Sequence, residues 1–426
     1  MRGSRNFVLL FIILFFFIFG LTGNQEEVSK TLVITNARLI DGTGAQPLDN
    51  AVIVITNGKF TAIGPQGKIV IPKEARVIDV KGKTVVPGLI DAHVHSTYAS
   101  EEVVSSKASS REEIKQKQLT VINDAISAFR QVHFLHRHLM GGITTVRDVA
   151  ARRNVSIMAK KAFREGLFLG SRPIVVGQGI TCTGGHGASK QESAVEADGP
   201  AEFRKAVREQ LKAGADLIKV LPPYSREEIK AAVEETHAHE RFITVHSGAF
   251  KKQYDFVHWA VEAGADCIEH AYAIPDDVIQ MMADKKMYCV PTLTILLKLG
   301  DEYSQKPGWE WKVKKYRQSV EIFRKMKSAG IKMGTGTDAI LQYMAQYPGM
   351  YFDEVENFVK YGYTPMEAIV AATKISAEIC DASDRLGTIE KGKLADLLVI
   401  DGDPLGDIKT LRNVQLIIQE GEVIKR

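Results

Sequence analysis

Eight short apolar runs, separated by segments of helical periodicity, constrain this chain more than any other feature. The runs are TVVPGLI, ITTVRD, PIVVG, DLIKV, FITVH, DCIEH, MYCVP and IKMGTGTD, and the intervening segments include AEFRKAVREQLKAGA and SREEIKAAVEETHAHE. Apolar strands alternating with amphipathic helices build βα units around a parallel sheet. Eight units over about 300 residues favour an α/β fold of the TIM (β/α)8 barrel type over an open doubly wound sheet. No GxGxxG follows the first run, in agreement with that choice.

Outside the repeating part the pattern changes. Residues 31–84 contain TLVITNARLIDGTG and AVIVITNGKFTAIGP, and residues 386–426 contain LGTIEKGKLADLLVIDGDPL and NVQLIIQEGEVIKR. Both stretches alternate apolar and polar residues between Gly, Asn and Asp turns. The two flanks are expected to join in one small β-sandwich-like domain beside a barrel spanning residues 85–380. At the other extreme, residues 1–23 place Arg2 and Arg5 before an all-apolar block, Phe7 to Phe19. That block is short for a membrane span and reads as a signal peptide, so the protein is expected to be exported, periplasmic or secreted. Membrane attachment is expected only through an uncleaved leader.

Charge excludes one class of partner. Lys and Arg total 55 against 51 Asp and Glu, a net +4 with no long basic run, so nucleic acid is not expected. A small molecule is the expected partner, with the chain forming a homo-oligomer. Cys182, Cys267, Cys289 and Cys380 show no CxxC spacing and read as buried small residues, with a Cys267–Cys289 disulfide left open.

The chemistry-bearing residues fall at the ends of the runs. His93 and His95 end the first, and strand alternation points both rings to one side while Val94 points away. Pro87 and Gly88 are read as stopping that strand and delivering the pair to the barrel mouth. His246 closes the fifth run, His270 the sixth and Asp338 the eighth. Active sites of such barrels lie on this face. Lys219, in ADLIKV, is the odd member: an ammonium among histidines would repel a divalent metal, whereas a buried neutral amine can react with carbon dioxide and become an anionic carbamate.

These residues and the closing GTIEKGKLADLLVIDGDPL segment resemble the amidohydrolase superfamily over residues 31–426. The similarity is to its binuclear branch, the prolidase-like dipeptidases and imidazolonepropionase-related proteins. The resemblance implies that His93, His95 and Asp338 hold one divalent metal, expected to be zinc, and that His246 and His270 hold a second. It further implies a carboxylated Lys219 bridging the two, with carbon dioxide as the source of the carbamate.

A shared metal-bound water would then attack an amide carbonyl of a dipeptide, Xaa-Pro included, or of an N-acyl amino acid. Asp338 is the expected proton acceptor, and His186, in the glycine-rich TCTGGHG loop, the expected donor to the developing oxyanion. Arg147, at the end of the second run, is expected to grip a substrate carboxylate or to pair with Asp148, and Tyr224 to face the same mouth. His133, His136 and His138 are expected to face solvent. Cyclic amides and lactones remain open as substrates. A mononuclear deaminase would lack the lysine and would carry Glu where this chain has Ala249. A catalytically dead scaffold would be expected to have lost some of the six residues, and all six are present.

Overall fold

The computed structural model describes residues 31–98, 124–188, 192–248, 255–340, 343 and 346–425. The leader and position 249 lie outside these described residues. In chain order the strands are β1 (Thr31–Leu39), β2 (Leu48–Thr56), β3 (Lys59–Pro65), β4 (Arg76–Asp79), β5 (Thr84–Pro87) and β6 (Leu89–Val94). They continue with β7 (Ile143–Asp148), β8 (Arg172–Val175), β9 (Gly179–Thr181), β10 (Ala194–Glu196), β11 (Ile218–Val220) and β12 (Ile243–His246). The last six are β13 (Cys267–Glu269), β14 (Tyr288–Val290), β15 (Lys332–Met333), β16 (Leu397–Ile400), β17 (Val414–Gln419) and β18 (Glu422–Lys425).

Two parallel sheets carry the repeating part. One runs β6-β7-β8 and the other β10-β9-β11-β12-β13-β14-β15. Backbone hydrogen bonds join them at both seams. Ala92 N donates to Thr335 O (2.8 Å) and Asp338 N to His93 O (2.8 Å), while Asp216 N donates to Val175 O (2.7 Å). Side chains sort by strand alternation into two layers. Ile174, Leu217, Cys267 and Val290 share one cluster inside the ring. Their neighbours Val146, Ile218, Val220, Ile243, Val245 and Ile268 pack in a larger cluster that includes the helices. Lys219, Thr244 and Glu269 therefore belong to the inner layer.

Helix signals sit where the periodicity placed them. Asp198 precedes the helix Gly199–Ala213, which stops at Gly214 with φ +113°. Ser225 and Glu228 form a capping box at the start of Arg226–Ala238.

The flanks join in one sheet ordered β18-β17-β16-β5-β1-β2-β3, with β4 paired to β1. Here the first run divides. Its TVVP half, β5, pairs antiparallel with β16 in the flanking sheet, and β6 begins after Gly88. Pro87 and Gly88 therefore open the histidine-bearing strand instead of stopping it. A Cβ on Gly88 would lie 2.2 Å from Thr144 Oγ1, so the crossing between sheets requires glycine. Arg172 ties the two parts together, with Nη1 2.6 Å from Asp396 Oδ2 and Nη2 2.7 Å from Glu420 Oε1.

The open disulfide question resolves against pairing. Cys289 stands opposite Ile268 and Cys267 opposite Tyr288, so the two sulfurs point to different layers, and all four cysteines are free.

Candidate active site

The six strand-end residues converge on one side of the ring. His95 Nε2 lies 3.2 Å from Asp338 Oδ1, His93 Nε2 lies 3.6 Å from the same oxygen, and His270 Nδ1 lies 3.9 Å from Asp338 Oδ2. His270 Nε2 is 3.0 Å from His246 Nδ1. His93, His95 and Asp338 form a compact donor group able to hold a metal ion. Lys219 is 1% exposed, and its Nζ, like His93 Nε2, is buried without a hydrogen-bond partner. Two orphaned polar atoms at one place are costly unless something else meets them there.

Local backbone explains how the residues reach the site. His270 (φ +73°) and Asp338 (φ +47°) both adopt the left-handed conformation, which side chains other than glycine rarely take. That turn lets Glu269 and His270, adjacent in sequence, face the same interior despite strand alternation. Such strain persists only where the surroundings over-determine it, as at functional sites. Gly336 permits the last approach: a Cβ there would lie 2.7 Å from His93 Cβ and 2.4 Å from Val290 Cγ1.

Beneath the site lies a charged layer that sequence reasoning missed. Glu269, fully buried, meets His93 Nδ1 at 2.6 Å through Oε2 and accepts from Arg147 Nη2 at 2.5 Å through Oε1. Thr244 Oγ1 also donates to it. Burial alone would raise the Glu269 carboxyl, but Arg147 and Lys219 hold it well below the usual range. Asp91, two residues before His93 on the same strand face, is likewise buried. It accepts from His93 N (3.2 Å), Thr337 N (3.0 Å) and Thr337 Oγ1 (2.8 Å), tying the first run to the eighth. Its signal was its spacing, Asp91 to His93, which alternation places on one side.

Other neighbours fix ring orientation. His95 Nδ1 is 3.0 Å from Ala150 O, His270 Nδ1 is 2.8 Å from Thr292 Oγ1, and His246 Nε2 is 2.9 Å from Tyr272 OH. Burial lowers His93 to about 4 and drives His246 and His270 well below the ordinary imidazole range, so these rings are neutral and their nitrogens available as donors. Burial also lowers the Lys219 ammonium to about 8. Asp338 is held well below the carboxylate range, because the His93 field and the His95 hydrogen bond outweigh its burial.

Of the other expected residues, one joins the group. The ring of His186 is 4.7 Å from that of His246 and opens to solvent. The crowded walls of the mouth and the Lys219 charge keep it neutral, lowering it to about 4.

Arg147 and Tyr224 do not face the mouth. Arg147 is fully buried under the site, where Nε donates to Ala92 O (2.6 Å) and Nη2 to Glu269, so it is no substrate clamp. Nor does it pair with Asp148, which accepts from Ser96 N (3.2 Å) and Ser96 Oγ. Tyr224 is 3% exposed and donates through its hydroxyl to Phe256 O at 2.9 Å. Of the helical histidines, His133 and His136 are exposed, but His138 is fully buried, with Nδ1 2.7 Å from Phe134 O and its ring against Tyr347.

The chain is similar in sequence and fold to several known hydrolases. A crystal structure of a Xaa-Pro dipeptidase with methionine bound in its active site superposes with a TM-score of 0.81 at 28% identity, covering 93% of this chain and 100% of the other. Ochratoxinase of Aspergillus niger is 24% identical over 444 residues, 92% of this chain and 86% of that enzyme. Imidazolonepropionase of Geobacillus sp. (strain WCH70) is 24% identical over 386 residues, covering 83% and 84%. The profile of the Amidohydrolase family matches residues 84–425, and the chain belongs to that family of hydrolases.

Proposed function

We propose that the protein is a metal-dependent hydrolase of small amides with a binuclear centre, acting as a prolidase-like dipeptidase or an N-acyl amino acid hydrolase. The observation that carries this reading is Lys219, buried without a partner at its Nζ in the midst of four histidines and an aspartate. The order of strands closed at both seams supports a (β/α)8 barrel, whose chemistry lies at the strand ends.

The residues fit the metals. His246 Nδ1 and His270 Nε2 stand 3.0 Å apart, close enough for both to serve one ion. His93, His95 and Asp338 would hold one ion, His246 and His270 the other, and Lys219, as a carbamate, would bridge them. Imidazole and carboxylate donors suit zinc. Burial brings the Lys219 ammonium down to about 8, which leaves a fraction as free amine near neutral pH; that amine would form an N–C bond to carbon dioxide and release one proton to solvent. Divalent ions held there would supply a water acidified to the region of ~7 and would polarise the scissile carbonyl.

Asp338 takes the proton from the attacking oxygen and passes it to the leaving nitrogen as the new C–O bond forms and the C–N bond breaks. His186, neutral and open to the mouth, donates a hydrogen bond to the carbonyl oxygen as negative charge develops there. Glu269 holds the His93 ring through Nδ1, leaving Nε2 toward Asp338. Export behind a cleaved leader belongs to the same proposal, and N-terminal sequencing of protein from the native host checks it: a chain beginning at Met1 contradicts it.

The test of function is a panel of dipeptides, Xaa-Pro included, N-acyl amino acids, cyclic amides and lactones. Hydrolysis of an acyclic amide, abolished by Asp338→Asn with the fold retained, is the expected result. Turnover confined to lactones or to deamination would overturn the assignment.

A further inference from the structure

His186 stands in a loop, residues 182–188, whose composition works against a fixed position. Gly184, Gly185 and Gly187 surround it, and Gly184 (φ +73°) and Gly187 (φ +87°) take left-handed turns. Glycine loses more backbone freedom on ordering than any other residue, so such a loop keeps one place only where outside groups fix it.

Two carboxylates do so. Thr183 donates through N (3.0 Å) and Oγ1 (2.5 Å) to Asp198, and Gly184 N donates to Glu196 Oε1 at 2.6 Å. Both acids come from the strand beside the loop, since β10 pairs in parallel with β9 and sets Glu196 opposite Thr181. Beyond β11, Pro222 O accepts from His186 N at 2.9 Å. The loop is thus held on both sides, and the His186 ring is kept 4.7 Å from that of His246.

Asp198 serves the loop and not its own helix. It occupies the N-cap position of Gly199–Ala213, where an aspartate ordinarily accepts from an amide of the first turn, yet its side chain makes no such bond. Other acids meet that helix start: Glu202 Oε2 accepts from Asp198 N at 2.8 Å, and Glu228 Oε1 from Gly199 N at 2.7 Å. The Thr183 hydrogen bonds hold the Asp198 carboxyl below its usual range, so it is a charged and therefore strong acceptor at neutral pH.

We propose that Asp198 and Glu196 are positioning residues for hydrolysis, fixing the glycine-rich loop so that His186 stands where it meets the developing oxyanion. The proposal rests on the amide-hydrolase reading and adds to it the device that holds the oxyanion donor. Both carboxylates act through His186.

Two measurements test this. Removing an oxyanion donor outright costs about 10²–10³-fold in kcat, and loosening one costs part of that, so Asp198→Ala and Glu196→Ala are each expected to lower kcat about tenfold with KM and bound metal unchanged. In a His186→Ala background neither substitution is expected to lower kcat further, because a group acting only through His186 then has nothing to position. A merely structural role would cut both backgrounds equally. The second measurement needs no turnover: Cys182 lies in the same loop and is the one cysteine of the four that is not buried, so its labelling rate with a thiol-reactive disulfide reports how firmly the loop is held. Thr183→Val removes one tether without altering charge, and is expected to speed labelling severalfold. Equal losses in the two backgrounds, or an unchanged labelling rate in Thr183→Val, overturns the assignment. Failure to cleave any amide would instead strike the functional reading, because the labelling rate is measured without turnover.

Discussion

Glu269 and Arg147 form a buried ion pair whose two members stand on different strands, and the pair divides the account of the site into what touches substrate and what orients it. Removing one member of a buried pair leaves the other uncompensated, so Arg147→Met is expected to cost about 3–5 kcal/mol of stability, read by denaturant unfolding. A substrate clamp at this position would instead raise KM and spare stability. Glu269→Gln keeps the shape but weakens the hold on His93, and metal affinity is expected to fall by about 10–100-fold, read by competition with a chelator. Unchanged affinity would remove Glu269 from its orienting role. His93, His95, Lys219, His246, His270 and Asp338 could be picked out in sequence because each ends an apolar run. Glu269 could not, since alternation sends it away from His270 and only the left-handed turn at His270 brings both inward. Arg147 was misjudged for a related reason: periodicity tells which side a residue faces, not how deep in the ring its head group stops.

At the level of elements, the runs and helical segments translated directly into parallel strands and helices, because burial on one face imposes the period that the sequence displays. Only the first run misled. TVVPGLI is continuous in hydrophobicity, yet Pro87 and Gly88 divide it between two sheets, and apolar content carries no mark of which sheet a strand joins. Gly88→Ala should accordingly clash with Thr144 and cost about 1–3 kcal/mol, seen as a lower Tm.

Glu354, which caps the helix Leu293–Ser304, gives a pH signature. Burial raises its carboxyl from 4.5 to about 7. The folded state therefore holds the proton more tightly, and the stability gained from it is complete below about pH 4.5 and lost as pH rises through about 7. Glu354→Gln is expected to flatten the decline of Tm across this window, and an equally steep decline in the variant would contradict the argument.

For the whole molecule, the legible part was the alternation of strand and helix, the pairing of the two flanks and the one end of the ring where the chemistry collects. What stayed hidden depends on contacts between distant segments: the seam bonds and the Arg172 tie to Asp396 and Glu420. Asp396→Ala is expected to leave the buried Arg172 guanidinium with Glu420 as its one remaining carboxylate partner, so that the flanking sheet and the ring lose stability together, read as a lower Tm. The central claim is that the buried Lys219 completes a two-metal centre, as neutral histidines and Asp338 alone leave two divalent cations undercompensated. Its most direct test is elemental analysis of the purified wild type and Lys219→Ala, with amide hydrolysis measured on the same samples. The account predicts about two divalent ions per wild-type chain, loss of metal and activity together in the variant, and partial recovery of both with a short-chain carboxylic acid. Full amide hydrolysis by a metal-free wild type, or by Lys219→Ala with its metal intact, would contradict it.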